Sequence, residues 1–273
     1  MTDPIEAFVA ATRAGLLQAG LERVEREGSV YFRSPQEGAA VPPSRRPVLV
    51  LLHGVNDQAG TWAPVAASLA ARCRLIVPDL AGHGESAPKS GPLPLPLILD
   101  RLHTIIVNET SGPVALLGNS MGGWVAMLYT FAHPECASRL VLEDASGMAW
   151  VITVPLFPQT KEQAVLALHA VNGPKSDTPD WAIETMLSRS TVAPMTRVAE
   201  TGVLEFLVDA RLGEIKVPVT LIWGADDGLL PVTYAEVLQK RIAGSTLCVI
   251  EGAAHIPHRQ QPEKFLACLN TIF

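Results

Sequence analysis

Residues 114–127 read VALLGNSMGGWVAM, in which an apolar run leads into a serine flanked by glycines and a second apolar segment follows. The run 114–117 is typical of a strand buried on both faces, and the second segment has the pattern of a helix. Gly118 and Gly122 stand two positions on either side of Ser120, where a sharp strand-to-helix turn leaves no space for side chains. This context predicts that Ser120 is an exposed nucleophile and not part of an ordinary glycine-rich turn.

The same strand signal recurs along the chain. Further short apolar runs lie at residues 48–52, 75–77, 140–142, 219–223 and 247–250. Segments of helical length and pattern lie between or after them, at residues 62–72, 95–109, 121–133, 232–242 and 259–272. Strands that alternate with helices predict a doubly wound, mostly parallel sheet with helices on both faces.

The amino-terminal part of the chain departs from this alternation. Residues 3–6 read DPIE, with an aspartate as helix N-cap and a proline at the first helical position, so a short helix is predicted to follow. Residues 21–26 and 29–33 predict a hairpin of two half-exposed strands, which brings the sheet to eight strands. Residues 34–46 are rich in proline, serine and glycine and are predicted to form a surface loop.

One long interval lacks any strand signal. Residues 146–212 are mostly helix-like, and residues 164–170 and 182–187 show the best helical pattern. We predict that this interval is an inserted helical cap. The core domain would then consist of residues 1–145 and 213–273.

The composition is that of an ordinary globular protein. Hydrophobic residues make up 48% of the chain and charged residues 18%, which is too apolar for a disordered chain. The net charge of −6 and the lack of a basic cluster argue against nucleic-acid and anionic-membrane partners, because binding phosphates requires a clustered basic face. Neither a membrane-spanning run nor a signal-peptide pattern is visible, so we expect a cytoplasmic protein.

The four cysteines stand singly, at Cys73, Cys136, Cys248 and Cys268, without C-x-x-C pairs or metal-type spacing to histidine. We interpret them as small hydrophobic core residues and not as disulfide partners. The chain also lacks a Walker loop, a dinucleotide fingerprint and a metal-ligand motif. The sequence therefore predicts neither a cofactor nor a metal.

Several segments, in chain order, resemble the α/β-hydrolase superfamily over nearly the whole chain. Residues 51–55 (LLHGV) resemble its oxyanion loop, and residues 79–86 (DLAGHGES) resemble the loop after its next strand. Residues 223–231 (WGADDGLLP) and 252–257 (GAAHIP) are similar to its acid turn and its histidine loop. The resemblance implies the α/β-hydrolase fold, in which a serine, an acid and a histidine follow one another in that order.

The resemblance also implies a role for each residue. A serine hydroxyl is a weak nucleophile until a base removes its proton, and the base needs an acid to fix its tautomer. His255 is the implied base, since it follows the last strand in a loop of small residues. Asp227 is the implied acid, while the adjacent Asp226 and Asp144, at the end of an earlier strand, remain alternatives.

An oxyanion hole is the other part that the resemblance implies. Its donors would be the backbone N–H groups of Val55 and of Met121, the residue after the nucleophile. His53, which begins this loop segment, is expected to have a structural role.

The resemblance narrows the reaction to acyl transfer. A serine nucleophile argues against haloalkane dehalogenases and epoxide hydrolases, for which an aspartate would be expected. The sequence GNSMGG also resembles the C–C hydrolases of ring-fission diketones, but residues 55–57 lack their further glycines and Ile256 stands where they commonly have tryptophan. We therefore predict a serine carboxylesterase, with a C–C hydrolase as the alternative and a non-catalytic ligand-binding protein as the alternative of another class.

The predicted substrate is a small to medium apolar ester. Trp150 and Phe157 of the cap, together with Ile256, are predicted to line its pocket. A diketone would need a basic group for its carboxylate, and each basic candidate in the cap is predicted to be solvated. These candidates are Lys161, Lys175, Arg189, Arg197 and Arg211. The protein is expected to be a monomer or a homodimer.

Overall fold

The predicted strands are all present in the computed structural model, which describes residues 4–36, 46–188, 193–270 and 272–273. They are β1 (Glu22–Arg26), β2 (Ser29–Arg33), β3 (Val48–Leu52), β4 (Arg74–Pro78), β5 (Val114–Asn119), β6 (Ala137–Glu143), β7 (Val219–Gly224) and β8 (Thr246–Ile250). They form one sheet in the order β1-β2-β4-β3-β5-β6-β7-β8. The pairs β1/β2 and β2/β4 are antiparallel and all others are parallel, which confirms the predicted fold.

Ten α-helices occur within the same described ranges. They are α1 (Pro4–Gln18), α2 (Ala63–Ala70), α3 (Leu95–Glu109), α4 (Met121–Ala132), α5 (Lys161–Asn172), α6 (Asp180–Ser188), α7 (Pro194–Ala199), α8 (Val232–Arg241), α9 (Pro257–Gln260) and α10 (Pro262–Leu269). The predicted last helix is divided into α9 and α10, because Pro262 fits the first position of a helix better than its interior. Asp3, the predicted N-cap of α1, and most of the predicted surface loop lie outside the described residues.

The prediction of a half-exposed hairpin is wrong for its second strand. Ser29, Val30, Tyr31 and Phe32 of β2 are all buried, whereas β1 is mostly exposed. The reason is the position of β2 inside the sheet, where it pairs with β1 on one side and β4 on the other. Of the two hairpin strands, only β1 is an edge strand with a solvated face.

Helices cover both faces of the central sheet, as the apolar runs predicted. Successive residues of a strand point to opposite faces. Val50 and Leu52 of β3 belong to the core under α3, α4 and α8, while Leu49 and Leu51 belong to the core under α1, α2 and α10. β3 is therefore apolar at every position.

The interpretation of the cysteines is wrong for one pair. Cys248 of β8 and Cys268 of α10 form a disulfide, and their Cα atoms lie 6.3 Å apart, within the usual range for such a bond. Twenty positions separate the two residues, so only the packing of α10 beside β8 brings them together. Cys73 is a free, buried core residue as predicted, and Cys136 is free and half-buried.

Helices α5, α6 and α7 all lie between β6 and β7. Helix α7 is only six residues long and begins at Pro194, so it has no distinct helical pattern in the sequence. Among the helices that the structure describes, none is both long and apolar enough to cross a membrane.

Candidate active site

Ser120 occupies a strained turn between β5 and α4. It is buried, with 8% of its surface exposed, and not exposed as predicted, because the loop after β3 packs against the turn. Its φ of 53° and ψ of −119° are rare for a non-glycine residue and cost about 1–3 kcal/mol. A Cβ atom at Gly118 would overlap the backbone of Gly122, and one at Gly122 would overlap the carbonyl group of Leu52. Both flanking positions of the motif therefore require glycine, because backbone atoms pass where side chains would stand.

The loop after β3 lies directly against this turn. A Cβ atom at Gly54 would be 3.0 Å from Asn119 Oδ1 and 3.3 Å from Ser120 Cβ. Val55, the next residue, is half-buried beside it. Met121 is the first residue of α4, and N–H groups in the first turn of a helix have no partner within the helix. The two predicted oxyanion donors thus lie on segments that flank Ser120.

His53 fixes the course of this loop. Its Nε2 accepts a hydrogen bond from the N–H of Leu80 at 3.0 Å, and its Nδ1 lies 2.7 Å from the carbonyl oxygen of Gly54. Because Nε2 accepts this bond, Nδ1 carries the proton and donates a hydrogen bond to the carbonyl oxygen of Gly54. His53 is fully buried and has the structural role that the sequence predicted.

Asp227 and His255 are joined by a buried hydrogen bond. His255 Nδ1 and Asp227 Oδ2 lie 2.8 Å apart, while Asp227 Oδ1 accepts the N–H groups of Leu229 and Leu230 at 2.8 and 3.0 Å. Burial alone would raise the pKa of Asp227, but the charge interaction with His255 and these hydrogen bonds hold it below the usual value. Asp226 is exposed. The structure thus brings His255 to Asp227 and leaves Asp226 in solvent.

Asp144, the other alternative for the acid, is fully buried beside this pair. Its Oδ1 accepts the N–H of Gly224 at 3.0 Å. Burial, and next to it the charge of Asp227, raises the pKa of Asp144 well above its usual value. One ligand atom from each of Asp144, Asp227 and His255 lies within 4.8 Å of the others, so among the described residues these three could also hold a metal ion.

The end of α5 supports both loops of the site. Gly228, next to Asp227, donates its N–H to the carbonyl of Ala170 at 3.1 Å, and the N–H of His255 donates to Val171 at 3.1 Å. Carbonyl groups in the last turn of a helix have no partner within the helix, so they are available to these donors. From the opposite side, Asn119 Nδ2 donates to the carbonyl of His255 at 2.9 Å.

A buried polar network below the histidine loop was missed by the sequence analysis. His258 Nδ1 lies 2.8 Å from Glu143 Oε2, the N–H of His258 donates to Glu143 Oε1 at 2.8 Å, and His258 Nε2 lies 3.0 Å from Thr61 Oγ1. The imidazole also stacks on Trp62 at 4.1 Å between ring centroids. Because these residues are buried, the network holds the loop against β6 and does not face a substrate. The only signal for this network in the sequence was Glu143, a charged residue directly after the apolar run 140–142.

The three predicted pocket residues have different surroundings. Trp150 and Phe157 are exposed, and the ring of Trp150 packs edge-on against Tyr234 at 5.2 Å between centroids. Ile256 is buried directly after His255. Their role as substrate-binding residues stays a prediction.

One basic residue of the interval between β6 and β7 is buried, contrary to prediction. Arg197 donates from Nε to the carbonyl of Gly91 at 2.8 Å, and from its Nη atoms to Gly82 at 3.2 Å and Pro88 at 2.8 Å. Its guanidinium holds residues 82–91 in place, which a solvated side chain would not do. Lys161, Lys175 and Arg211 are exposed as predicted, and Arg189 lies outside the described residues.

Comparison with known proteins shows the family to which the chain belongs. The Alpha/beta hydrolase family matches residues 49–267, so the chain belongs to this family. It is 30% identical to a pimeloyl-[acyl-carrier protein] methyl ester esterase of Aromatoleum aromaticum, over 80% of this chain and 94% of that protein. The chain is therefore a hydrolase by fold, and it has an esterase among its relatives.

Solved structures share the fold at lower identity. A membrane phospholipase A, described as a bacterial virulence factor, has a TM-score of 0.77 and 24% identity over 97% of this chain and 91% of that one. The 2-hydroxy-6-oxo-6-phenylhexa-2,4-dienoate hydrolase from a Rhodococcus species has a TM-score of 0.74 and 18% identity over 91% and 98%. Both likenesses concern the fold alone.

Replacing Glu143 with alanine should destabilise the protein by about 2–4 kcal/mol, because His258 would lose its acceptor inside a buried network. Urea unfolding followed by tryptophan fluorescence measures this effect. The matched control is Glu251→Ala at the exposed end of β8, which should leave the unfolding midpoint unchanged. An equal loss in both variants, or no loss in either, would contradict the role assigned to Glu143.

Proposed function

We propose that this protein is a serine hydrolase that cleaves small to medium apolar carboxylic esters through an acyl-enzyme intermediate. The observation that carries the proposal is the buried 2.8 Å bond between Asp227 and His255, at the same sheet edge as the strained turn of Ser120. An oriented imidazole and a serine hydroxyl held in a fixed turn are the two parts that nucleophilic ester cleavage requires. The esterase among the relatives supports the same reaction class.

In the proposed reaction, Ser120 Oγ attacks the ester carbonyl carbon while His255 Nε2 accepts the hydroxyl proton. Asp227 keeps the proton on Nδ1 and stabilises the imidazolium that forms. The N–H groups of Val55 and Met121 would stabilise the tetrahedral oxyanion, each contributing about 3–4 kcal/mol. His255 then protonates the leaving alcohol. In deacylation, water attacks the acyl-serine carbonyl carbon while His255 Nε2 accepts its proton, and His255 returns this proton to Ser120 Oγ as the carboxylic acid leaves.

We propose that residues 146–212 are the cap over this site and that residues 1–145 and 213–273 form the core domain. The bonds from α5 to the acid turn and the histidine loop support this division, because a cap must touch the catalytic edge of the sheet. Trp150, Phe157 and Ile256 are the proposed apolar contacts for the substrate.

Two basic residues of the interval favour an ester over a ring-fission diketone. Binding a diketone carboxylate needs a free cationic group near the site. Arg197 is buried, but its Nε and both Nη atoms donate to backbone carbonyls. Lys161 is exposed and pairs with Asp180 at 2.9 Å. Neither side chain is placed to bind a substrate carboxylate.

The remaining predictions concern partners and location. A small-molecule substrate follows from the hydrolase family, while a monomer or homodimer without nucleic-acid partners remains our proposal from the acidic sequence. The cytoplasmic location predicted from the sequence stays a prediction. The disulfide between Cys248 and Cys268 favours an oxidising compartment instead, since disulfides persist there.

A series of p-nitrophenyl esters from acetate to palmitate tests the proposed substrate class. We expect the highest kcat/KM for acyl groups of about two to six carbons, because a pocket of limited size excludes longer chains. Palmitate as the best ester would indicate a lipase-like pocket. A ring-fission diketone cleaved with kcat/KM about a hundredfold above that of any ester would refute the esterase proposal and leave the roles of Ser120 and His255 intact.

Asp227 and Asp226 provide a matched pair for testing the acid. Asp227→Asn should lower kcat by about 10³–10⁴, because the amide favours the wrong tautomer of His255. Asp226→Asn changes an exposed carboxylate of the same turn and should keep kcat within about fivefold of wild type. Steady-state kinetics on the best short ester measures both. A greater loss in the Asp226 variant would show that the acid has been misassigned.

A further inference from the structure

The Ser120, His255 and Asp227 scheme leaves one buried carboxyl group without a use. Asp144 follows β6, is fully buried, and has a left-handed backbone with φ of 41°. Its Oδ1 accepts the N–H of Gly224, but among the described residues no donor reaches Oδ2. A buried, ionised oxygen without a donor is unfavourable, whereas an oxygen that carries a proton needs an acceptor instead.

Asp227 lies beside Asp144 and can serve as that acceptor. One oxygen from each of the two carboxyl groups and one nitrogen of His255 lie within 4.8 Å of one another. Two ionised carboxylates this close in a buried site repel each other strongly, so one of them retains a proton. Asp227 already accepts bonds from His255, Leu229 and Leu230, all of which stabilise its charge. The retained proton is therefore assigned to Asp144.

The other charged groups around Asp144 agree with this assignment. Glu143, its neighbour in sequence, bonds to His258. The charge of Glu143 raises the pKa of Asp144 further, and its side chain offers no donor for Asp144 Oδ2. Burial and the Asp227 charge raise the pKa of Asp144, while a hydrogen bond from Asp144 is among the contacts that lower the pKa of Asp227. Only the N–H of Gly224 acts in the opposite direction on Asp144.

We propose that Asp144 is a neutral carboxylic acid that donates a hydrogen bond from Oδ2 to Asp227, so that four groups form a Ser–His–Asp–Asp relay. Asp144 would then be a positioning residue, since it acts on the substrate only through Asp227. It supplies Asp227 with a fourth donor and holds the ionised carboxylate toward His255. The kinetic consequence of this inference rests on the proposed ester hydrolysis.

The first test compares Asp144→Asn with Asp144→Ala on a short p-nitrophenyl ester. An asparagine amide can still donate to Asp227 and accept from Gly224. This variant should therefore keep kcat within about threefold of wild type, and the acidic limb of its kcat–pH profile should be unchanged. The alanine variant should lose at least about tenfold in kcat with little change in KM. An asparagine variant as impaired as the alanine variant would show that Asp144 supplies a negative charge and would overturn the proposal.

The second test needs no substrate, so it stands even if the chain hydrolyses no ester. A carboxyl group whose pKa is higher in the folded chain than the unfolded value of about 3.9 contributes stability at low pH and loses it as pH rises. Asp144→Asn removes this loss, so its unfolding free energy relative to wild type should rise between about pH 5 and pH 7. The exposed control Glu251→Gln should show no such rise. A constant or falling difference for Asp144→Asn would mean that Asp144 is ionised in the folded protein, which refutes the inference.

Discussion

The bond between Asp227 and His255 is possible only because two loops leave the sheet at the same edge. β7 and β8 are parallel neighbours, and Gly224 at the end of β7 lies opposite Ile250 at the end of β8. The chain therefore turns into the acid segment and the histidine segment side by side. A Cβ atom at Gly224 would overlap the carbonyl of Ala254, so glycine is needed for the two segments to approach this closely.

Neither loop holds its position alone. The last carbonyls of α5 accept the N–H groups of Gly228 and His255, while Asn119 beside the nucleophile binds the carbonyl of His255. The network of Glu143 and His258 fixes the next turn of the chain from below. Each of these contacts is buried or partly buried, where a hydrogen bond is stronger than in water and the loss of one partner is more costly. The site thus lies at the carboxyl ends of the parallel strands. It is contacted there by α5, the first of the helices between β6 and β7.

Much of this could be predicted from the sequence because the signals are local. Apolar runs identified the six strands β3 to β8, a hairpin pattern identified β1 and β2, and the glycines around Ser120 identified the turn. The burial of β2 was missed because only its pairing with β4 encloses it, and that contact is not local in the sequence. The Cys248–Cys268 disulfide was missed for a related reason, because the contact of α10 with β8 is not encoded in local spacing.

The roles of the charged residues were harder to predict. Asp144 was considered as an alternative acid, but its relation to Asp227 depends on burial and on the donors around each oxygen, which the sequence does not contain. Arg197 was expected in solvent by its residue type, yet several backbone carbonyls that converge from residues 82–91 make its burial favourable. Long-range convergence of this kind appears only when the chain is folded.

The central claim is that Ser120 is an activated nucleophile, and labelling by a fluorophosphonate followed by intact-protein mass spectrometry tests it most directly. The wild-type protein should gain the mass of one phosphonyl group, with peptide mapping locating it at Ser120. The variant Ser120→Ala should fold and remain unlabelled, and His255→Ala should label far more slowly, because the hydroxyl then lacks its base. A folded wild-type protein that is never labelled at Ser120 would contradict the claim and assign the chain to the non-catalytic, ligand-binding members of this fold.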